Sequence, residues 1–324
     1  MPTTVFESQT VADHHGRDFP SRLPETLIQA ECGWRRLCLG ELWEYRDLIS
    51  LLIWRNVKVR YKQTALGALW AILQPTLMMV VLAIVFGRMA GLNSAELPYP
   101  VFLYAGLLPW TYFSSSVLGA ANSVVESERI VTKVYFPRLA LPISAIGAAL
   151  VDFMLAFSVL IALMFFYGIS PSGNLIFLPL GLVLLCGVAI GVGTMIAALN
   201  VAYRDFRYVV TFLMQIWMFA TPSIYMDQAA RPYTENVTQV AAADASTVQT
   251  STVVTKTTGR QSDIFRSLLN LNPMTPLINF FRATLLGQPL PWKSFCLSSV
   301  LIGGILVGGL LYFRRVEDSF ADII

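Results

Sequence analysis

Long apolar runs separated by short polar segments organise this chain. Each run is about 20 residues or longer, the length that crosses a hydrocarbon core of about 30 Å as a helix. The pattern predicts six membrane spans, at residues 66–86, 99–125, 139–167, 175–201, 208–226 and 294–313. The expected fold is therefore an all-α integral membrane protein.

The chain before the first run is polar and divides into two parts. Residues 1–39 contain prolines and scattered charges and are expected to form a cytoplasmic polar arm. Residues 40–64 combine apolar side chains at helical spacing with a basic stripe and two tryptophans, which is typical of an amphipathic helix in the membrane interface. The alternative is an ordinary helix packed on other protein, and both interpretations place it on the cytoplasmic side.

A short amphipathic segment separates the second and third runs. A helix over residues 126–137 places Ile130, Val131, Val134 and Tyr135 on one stripe and charged side chains mostly elsewhere. The segment is too short and too charged to cross a bilayer. Two interpretations remain open, a solvated connector and a docking helix for a soluble partner.

Two further segments interrupt the apolar pattern after the fifth run. Residues 227–263 form a long polar insertion that is rich in Thr, Ser, Val and Ala. Residues 264–286 are moderately apolar but broken by prolines, which predicts short re-entrant helices that line a cavity or lie at the interface. Residues 65–324 are thus expected to form one six-span domain that carries both segments on its far side.

Composition and charge agree with a membrane protein and orient it. Hydrophobic residues make up 55% of the chain and charged residues only 13%, against about 25% charged in a typical soluble domain. Lys and Arg are concentrated in the N-terminal segment, in residues 126–138, in residues 202–207 and in the tail. By the positive-inside rule, these segments and both termini are cytoplasmic, and the insertion lies on the far side.

The chain carries few groups suited to chemistry. The sequence has no GxxxxGK[ST] phosphate loop, no HExxH and no GxSxG, and its four cysteines form no CxxC pair. A membrane enzyme acting on lipid-linked sugars is therefore the least favoured function, and no metal or cofactor is expected in this chain. Asp152 is the clearest intramembrane acid; it is either a functional group or a hydrogen-bonded structural carboxyl.

Several long motifs resemble those of a known family. They occupy residues 54–75, 104–117, 131–142, 199–210 and 271–287. They are similar to the permease subunit of polysaccharide ABC exporters, the type-2 ABC transporter permeases that export O-antigen, capsule or teichoic-acid polymers. The resemblance runs from about residue 41 to residue 315. The arm at residues 1–39 and the length of the insertion at 227–263 depart from it.

The resemblance implies an assembly and a cargo. It implies a homodimer in the bacterial inner membrane, with six spans per subunit, bound to two copies of a separate ATPase that holds ATP and Mg²⁺. The implied cargo is a long glycan on a lipid carrier, often undecaprenyl pyrophosphate. A related permease for a drug or a small lipid is the alternative.

The resemblance also implies roles for particular residues. The residues that match its ATPase-coupling helix are Glu126, Glu128, Arg129, Ile130, Lys133, Val134 and Tyr135. The candidates for contact with the carrier's phosphates, or with anionic lipid, are Arg55, Lys58 and Arg60. The aromatic candidates for the glycan pathway, whose alternative role is packing, are Tyr104, Trp110, Tyr112 and Phe113.

Overall fold

A computed structural model of the chain describes residues 39–62, 64, 66–89, 98–133, 136–170, 172–203, 205–221, 272–317 and 320. All regular structure within these residues is helical. The α-helices are α1 (Leu39–Glu44), α2 (Arg46–Tyr61), α3 (Leu69–Leu82), α4 (Tyr99–Glu126), α5 (Glu128–Val131), α6 (Ala140–Phe166), α7 (Leu178–Ala202), α8 (Phe206–Ala220), α9 (Met274–Leu286) and α10 (Trp292–Val316). A π-helical segment, Ala83–Met89, continues α3, and a 3₁₀ turn, Gly173–Phe177, precedes α7.

Five helices are long and apolar enough to cross a membrane. They are α3 with its π-helical continuation, α4, α6, α7 with its 3₁₀ turn, and α10. Each lies where the apolar pattern predicts a span, which confirms a multi-pass all-α membrane protein. The predicted fifth span corresponds to α8, which has only 15 residues and is classed as a shorter apolar helix. Residues 222–226 of that predicted span lie outside the described residues, as does the whole insertion at 227–263.

Helix α4 is the central helix of the bundle. It is the least apolar of the five, yet most of its length is buried within the protein. Polar side chains in its second half bond to its own backbone: Asn122 Nδ2 donates to Leu118 O at 3.2 Å and Ser123 Oγ to Ala120 O at 2.7 Å. A polar membrane helix is stable here because protein surrounds it. The helix continues through Pro109 without a break.

Most of the other helices pack against α4. Helix α4 contacts α3, α6, α7 and α9, whereas α10 packs mainly against α7. Helices α3 and α8 turn apolar side chains outward, for example Val81 (54% exposed) and Phe212 (64% exposed). Apolar faces of this kind suit lipid or a second membrane subunit.

The predicted re-entrant segment contains one described helix, α9, and residues 264–271 lie outside the described part of the chain. Almost every side chain of α9 is buried. The helix ends at Gly287, whose φ of +72° is a left-handed value that favours glycine. Arg282 lies inside the protein with its guanidinium carbon 3.9 Å from the centre of the Phe102 ring.

A small apolar core joins the elements that the sequence predicts to lie at the cytoplasmic end, and we call it the cytoplasmic core after that prediction. Its members come from α2 (Leu52), α4 (Val124), α5 (Val131), the following loop (Phe136) and α10 (Phe313). The segment that links α4 to α6 is therefore packed against the bundle.

Candidate functional site

The candidate site lies where α2 packs against α6, beside the last turns of α4. Asn56 Nδ2 on α2 donates a hydrogen bond to Ser144 Oγ on α6 at 3.2 Å. Nearby, Ile53 fills the space beside Gly147, where an added Cβ would come within 2.6 Å of Ile53 Cδ1. Helix α2 is thus fixed to a membrane span by one polar and one apolar contact.

A carboxylate anchors the other end of α2. Arg60 Nη1 donates to Asp152 Oδ2, and the Tyr61 hydroxyl donates to Asp152 Oδ1. The Asp152 side chain is 19% exposed and that of Arg60 is 40% exposed. The two donors neutralise and solvate a carboxylate that would otherwise be costly within a membrane helix. The hydrogen bonds satisfy the carboxylate as a structural role requires, and the place of Asp152 on a cavity wall fits a functional role, so both roles that the sequence leaves open agree with the geometry.

The protonation state of Tyr61 follows from the same contact. Burial, and then the hydrogen bond to the Asp152 carboxylate, raise the pKa of the Tyr61 hydroxyl well above its usual range. Tyr61 therefore remains a neutral hydrogen-bond donor to Asp152 at any physiological pH.

One cavity has a volume of about 670 Å³ and opens between the end of α2 and helices α3, α4 and α6. We call it the deep cavity because it reaches along α4 as far as Thr111, well inside the bundle. Four aromatic side chains, Tyr61, Trp70, Tyr112 and Phe153, form part of its wall. Its other polar lining residues are Arg60, Thr64, Gln74, Thr111, Ser115, Asn122, Glu126 and Asp152. Aromatic faces beside amide and hydroxyl groups suit a polar organic ligand.

A second cavity, here called the shallow cavity, lies between α2, the end of α4, α5 and the start of α6, with a volume of about 760 Å³. Three arginines (Arg55, Arg60 and Arg129) and two glutamates (Glu126 and Glu128) line it. Hydroxyl and amide groups complete its polar lining, from Asn56, Ser123, Ser127 and Ser144. Guanidinium groups are forked donors that bind phosphate or carboxylate oxygens in pairs, so this cavity suits an anionic group.

The two cavities share part of their walls. Arg60, Gly119 and Glu126 line both. Glu126 is the last residue of α4 and directly precedes the turn that leads into α5. The arginine-lined shallow cavity, the deep cavity and the turn that follows α4 are thus adjacent parts of one site.

The predicted helix over residues 126–137 is wrong in length. Helix α4 extends through Glu126, and α5 is a single turn of four residues, Glu128–Val131. The helix ends early because Val131 and Phe136 are both drawn into the cytoplasmic core, where a continuous helix would separate them. We call residues 127–133 the coupling turn, after the coupling helix that the sequence predicts at this position.

The coupling turn presents charge outward and apolar groups inward. Glu126, Glu128, Arg129 and Lys133 are exposed, whereas Ile130 is half-buried and Val131 is buried. The predicted stripe is therefore partly turned into the protein. Val134 and Tyr135 lie outside the described residues.

The three predicted phosphate contacts separate in the structure. Arg55 lines the shallow cavity and Arg60 lines both cavities. Lys58 points elsewhere, with its Nζ 5.4 Å from the centre of the exposed Trp54 ring. A cation beside an aromatic ring on this face fits the membrane interface better than the cavities.

The four predicted pathway aromatics separate as well. Tyr112 lines the deep cavity, although its hydroxyl also lies 3.3 Å from Cys186 Sγ. Tyr104, Trp110 and Phe113 are at most 2% exposed and line neither cavity. Trp110 and Phe113 pack edge-on against Trp217, and the Tyr104 hydroxyl donates to Ala156 O at 3.1 Å. Within the described residues these three side chains are packed inside the bundle, and their assignment to the glycan pathway stays a prediction.

Sequence reasoning missed part of the site. Trp70 and Phe153 lie within apolar spans, where an aromatic residue carries no signal of a cavity. Gln74, Thr111 and Asn122 were detectable as polar residues inside spans, and such residues face protein or water-filled space in membrane bundles.

Comparison with known proteins places the chain among membrane transporters. Residues 47–240 match the sequence profile of the family described as ABC-2 type transporter. An O-antigen export system permease protein, RfbA, of Myxococcus xanthus is 32% identical over 286 residues, which cover 88% of this chain and 98% of that protein. A protein of the same name from Klebsiella pneumoniae is 26% identical over 281 residues, or 86% of this chain and 95% of the relative. The polysialic acid transport protein KpsM of Escherichia coli is 26% identical over 172 residues, or 52% of this chain and 65% of the relative.

Proposed function

This chain belongs to the ABC-2 type transporter family, and on that premise we propose that it is the membrane subunit of an ATP-driven exporter that moves lipid-linked polysaccharide across the bacterial inner membrane. The relatives described above carry polysaccharide-transport names, which favours polysaccharide over a drug or a small lipid as the cargo. ATP and Mg²⁺ belong to a separate ATPase subunit, because the sequence of this chain has no phosphate loop.

The observation that carries the proposal is the pair of adjoining cavities. A lipid-linked glycan has an anionic phosphate group next to its first sugars. The shallow cavity offers Arg55, Arg60 and Arg129 to the phosphates as charge-assisted donors. The deep cavity offers aromatic faces and amide groups to sugars, chiefly Trp70, Tyr112 and Asn122. Of the four aromatic residues first predicted for the pathway, Tyr112 is the one that lines this cavity. Along α4, the shallow cavity lies beside the end of the helix and the deep cavity extends from it towards Thr111. The phosphates and the first sugars of the cargo follow each other in the same way.

The coupling turn is the proposed contact with the ATPase. Its exposed charges are available to a soluble partner, and its buried Val131 transmits a displacement to the cytoplasmic core. Its neighbour Glu126 forms part of both cavity walls. Movement imposed on this turn by ATP binding is therefore expected to change the shape of the cargo site.

The proposed assembly is a homodimer with two ATPase subunits. Each subunit would have six spans, with α8 and residues that follow it as the fifth, and both termini in the cytoplasm. The positions of Lys and Arg support this topology. The apolar side chains exposed on α3 and α8 provide faces for a second copy or for lipid.

Charge reversal at the coupling turn tests the assignment. Arg129 and Lys133 are both exposed, so an Arg129→Glu/Lys133→Glu variant should reach the membrane at its normal level. Export should fall by about tenfold or more, because the reversal changes the charge of the proposed ATPase contact by four units and removes both of its cations. The measurement is surface polysaccharide in whole cells, together with ATP hydrolysis by the purified complex.

The matched control is Lys293→Glu, which reverses an exposed charge at the opposite end of the bundle near the start of α10. It should export normally. Because Arg129 also lines the shallow cavity, Lys133→Glu alone, at a residue that lines neither cavity, must already lower export. Normal export by that variant or by the double variant would contradict the proposed contact.

A further inference from the structure

Among the described residues, Arg60 is the one cation that lines both cavities, and it is already paired. Its guanidinium donates to Asp152 on the wall of the deep cavity. Its side chain, 40% exposed, also borders the shallow cavity beside Arg55 and Arg129. Arg60 therefore lies between an acid within the bundle and the place where an anionic head group would enter.

We propose that the Arg60–Asp152 ion pair is a latch that the anionic head group of the cargo opens. In the latched state, Arg60 bonds to Asp152 and lies across the junction of the two cavities. A diphosphate in the shallow cavity draws Arg60 away from Asp152 and frees the junction for the glycan behind it. The inference rests on the proposed function, since it takes a lipid diphosphate as the cargo's head group.

The exchange costs Arg60 little electrostatic energy, because its guanidinium leaves one anionic partner and binds another. A diphosphate carries more charge than a carboxylate and offers more acceptor oxygens, so it competes well for a forked guanidinium donor. The cost lies in leaving the Asp152 carboxylate without its cation. That cost is limited because this side chain is 19% exposed and already borders a cavity that water can enter.

Tyr61 is the positioning residue of the latch. Its hydroxyl donates to Asp152 Oδ1, the oxygen that Arg60 does not use. When Arg60 leaves, Asp152 keeps this bond, so the carboxylate stays fixed on the cavity wall. Without the hydroxyl, Arg60 would be the remaining protein donor that the structure assigns to Asp152, and the pair would be harder to open.

A static structural pair makes different predictions from a latch. If the pair only holds α2 against α6, removing either partner loosens the packing, and any effect of the acid's charge on anion affinity does not depend on Arg60. If Asp152 competes with the head group for Arg60, removing the acid's charge must increase anion affinity, and the increase must disappear when Arg60 is replaced as well. Dependence of the increase on Arg60 therefore separates the two roles, because the loss of a nearby negative charge would by itself favour an anion in either case.

The test measures binding of farnesyl diphosphate to the full chain in lipid nanodiscs, with farnesol as the uncharged reference ligand. Asp152→Asn should bind farnesyl diphosphate about fivefold more tightly than the wild type, the ratio expected for an ion pair of this partial exposure. Arg60→Gln should bind it more weakly. Asp47→Asn is the matched control, because Asp47 is an exposed acid on the same helix whose partner Arg46 is 3.8 Å away and lines neither cavity.

Tyr61→Phe keeps the test decisive if Asp152→Asn fails to fold. It removes a single hydroxyl, and the latch predicts weaker binding of farnesyl diphosphate by a few-fold, whereas a static pair predicts no change. Unchanged affinity in the folded variants, or absence of diphosphate binding by the wild type, would overturn the latch. Polysaccharide export itself is decided separately, by surface glycan in cells that lack the chain.

Discussion

At the scale of single residues, Gly191 determines how closely two membrane helices approach. A Cβ added at Gly191 would lie 2.7 Å from Leu306 Cα and 2.8 Å from Leu306 N on α10. On α10, a Cβ at Gly309 would collide with the backbone of Gly191. The two helices thus meet backbone to backbone, and neither glycine can be enlarged without moving them apart.

We expect Gly191→Ala to lower the free energy of unfolding by about 1–3 kcal/mol, as overpacking does in tightly packed interiors. Thermal unfolding of the purified chain in detergent measures it. The control is Gly304→Ala on α10, where an added Cβ meets nothing within 4 Å. Equal unfolding temperatures for the two variants would refute the close contact.

These glycines also mark a limit of the sequence. The sequence contains GxxxG spacings at Gly187 and Gly191 on one span and at Gly304 and Gly308 on another, which predict small-residue faces on both helices. Gly191 makes the close contact, but its partner is Gly309, while Gly308 faces open space. Spacing along one helix predicts a small-residue face, but the partner depends on how two helices are rotated against each other.

At the scale of elements, the contact between α2 and α6 holds the wall of the shallow cavity. Ile53 of α2 occupies the space that Gly147 leaves, and Asn56 bonds to Ser144 one turn away. Because Arg55 and Arg60 belong to the same helix, any shift of α2 moves the guanidinium groups that face the cavity.

A double-mutant cycle tests this contact. Gly147→Ala should destabilise the chain by about 1–3 kcal/mol, because the new methyl collides with Ile53 Cδ1 and Cγ1. Ile53→Ala removes both atoms, so the double variant should be more stable than the sum of the single losses by about 0.5–3 kcal/mol. Strictly additive losses in thermal unfolding would show that the two side chains do not meet.

The elements differ in how well the sequence predicts them. Membrane spans such as α6 and α7 were predicted within a few residues, because bilayer thickness imposes a long apolar run on each. The coupling turn was predicted as a full helix, since Val131 and Val134 share a helical stripe, but burial of Val131 and Phe136 in the core ends the helix after one turn. The partner of Asp152 could not be predicted, because Arg60 lies 92 residues away and meets it only through tertiary packing.

At the scale of the whole molecule, the number of spans must agree with the side of the membrane on which α10 ends. With α8 as part of the fifth of six spans, the coupling turn and the end of α10 lie on the same side of the membrane. With five spans, the end of α10 would face the other side, which its packing with α5 in one apolar core does not allow, since Phe313 and Val131 belong to the same core. The Lys and Arg distribution favours the first arrangement, which puts Arg314 and Arg315 in the cytoplasm.

Cysteine labelling tests this topology. In a chain whose four cysteines are replaced, Lys133→Cys, Lys293→Cys and Arg315→Cys place single thiols at three positions. A membrane-impermeant maleimide should label position 293 in intact cells, and positions 133 and 315 only after permeabilisation. Labelling of position 315 in intact cells would contradict the six-span topology in which α8 belongs to the fifth span.

The most direct test of the proposed function is the location of lipid-linked polysaccharide in cells depleted of this chain. Intracellular lipid-linked glycan and surface glycan are extracted separately and compared with cells that express the chain. Our account predicts that polymer on its lipid carrier accumulates inside and disappears from the surface. Unchanged surface glycan, with no polymer retained inside, would contradict polysaccharide export as the function of this permease.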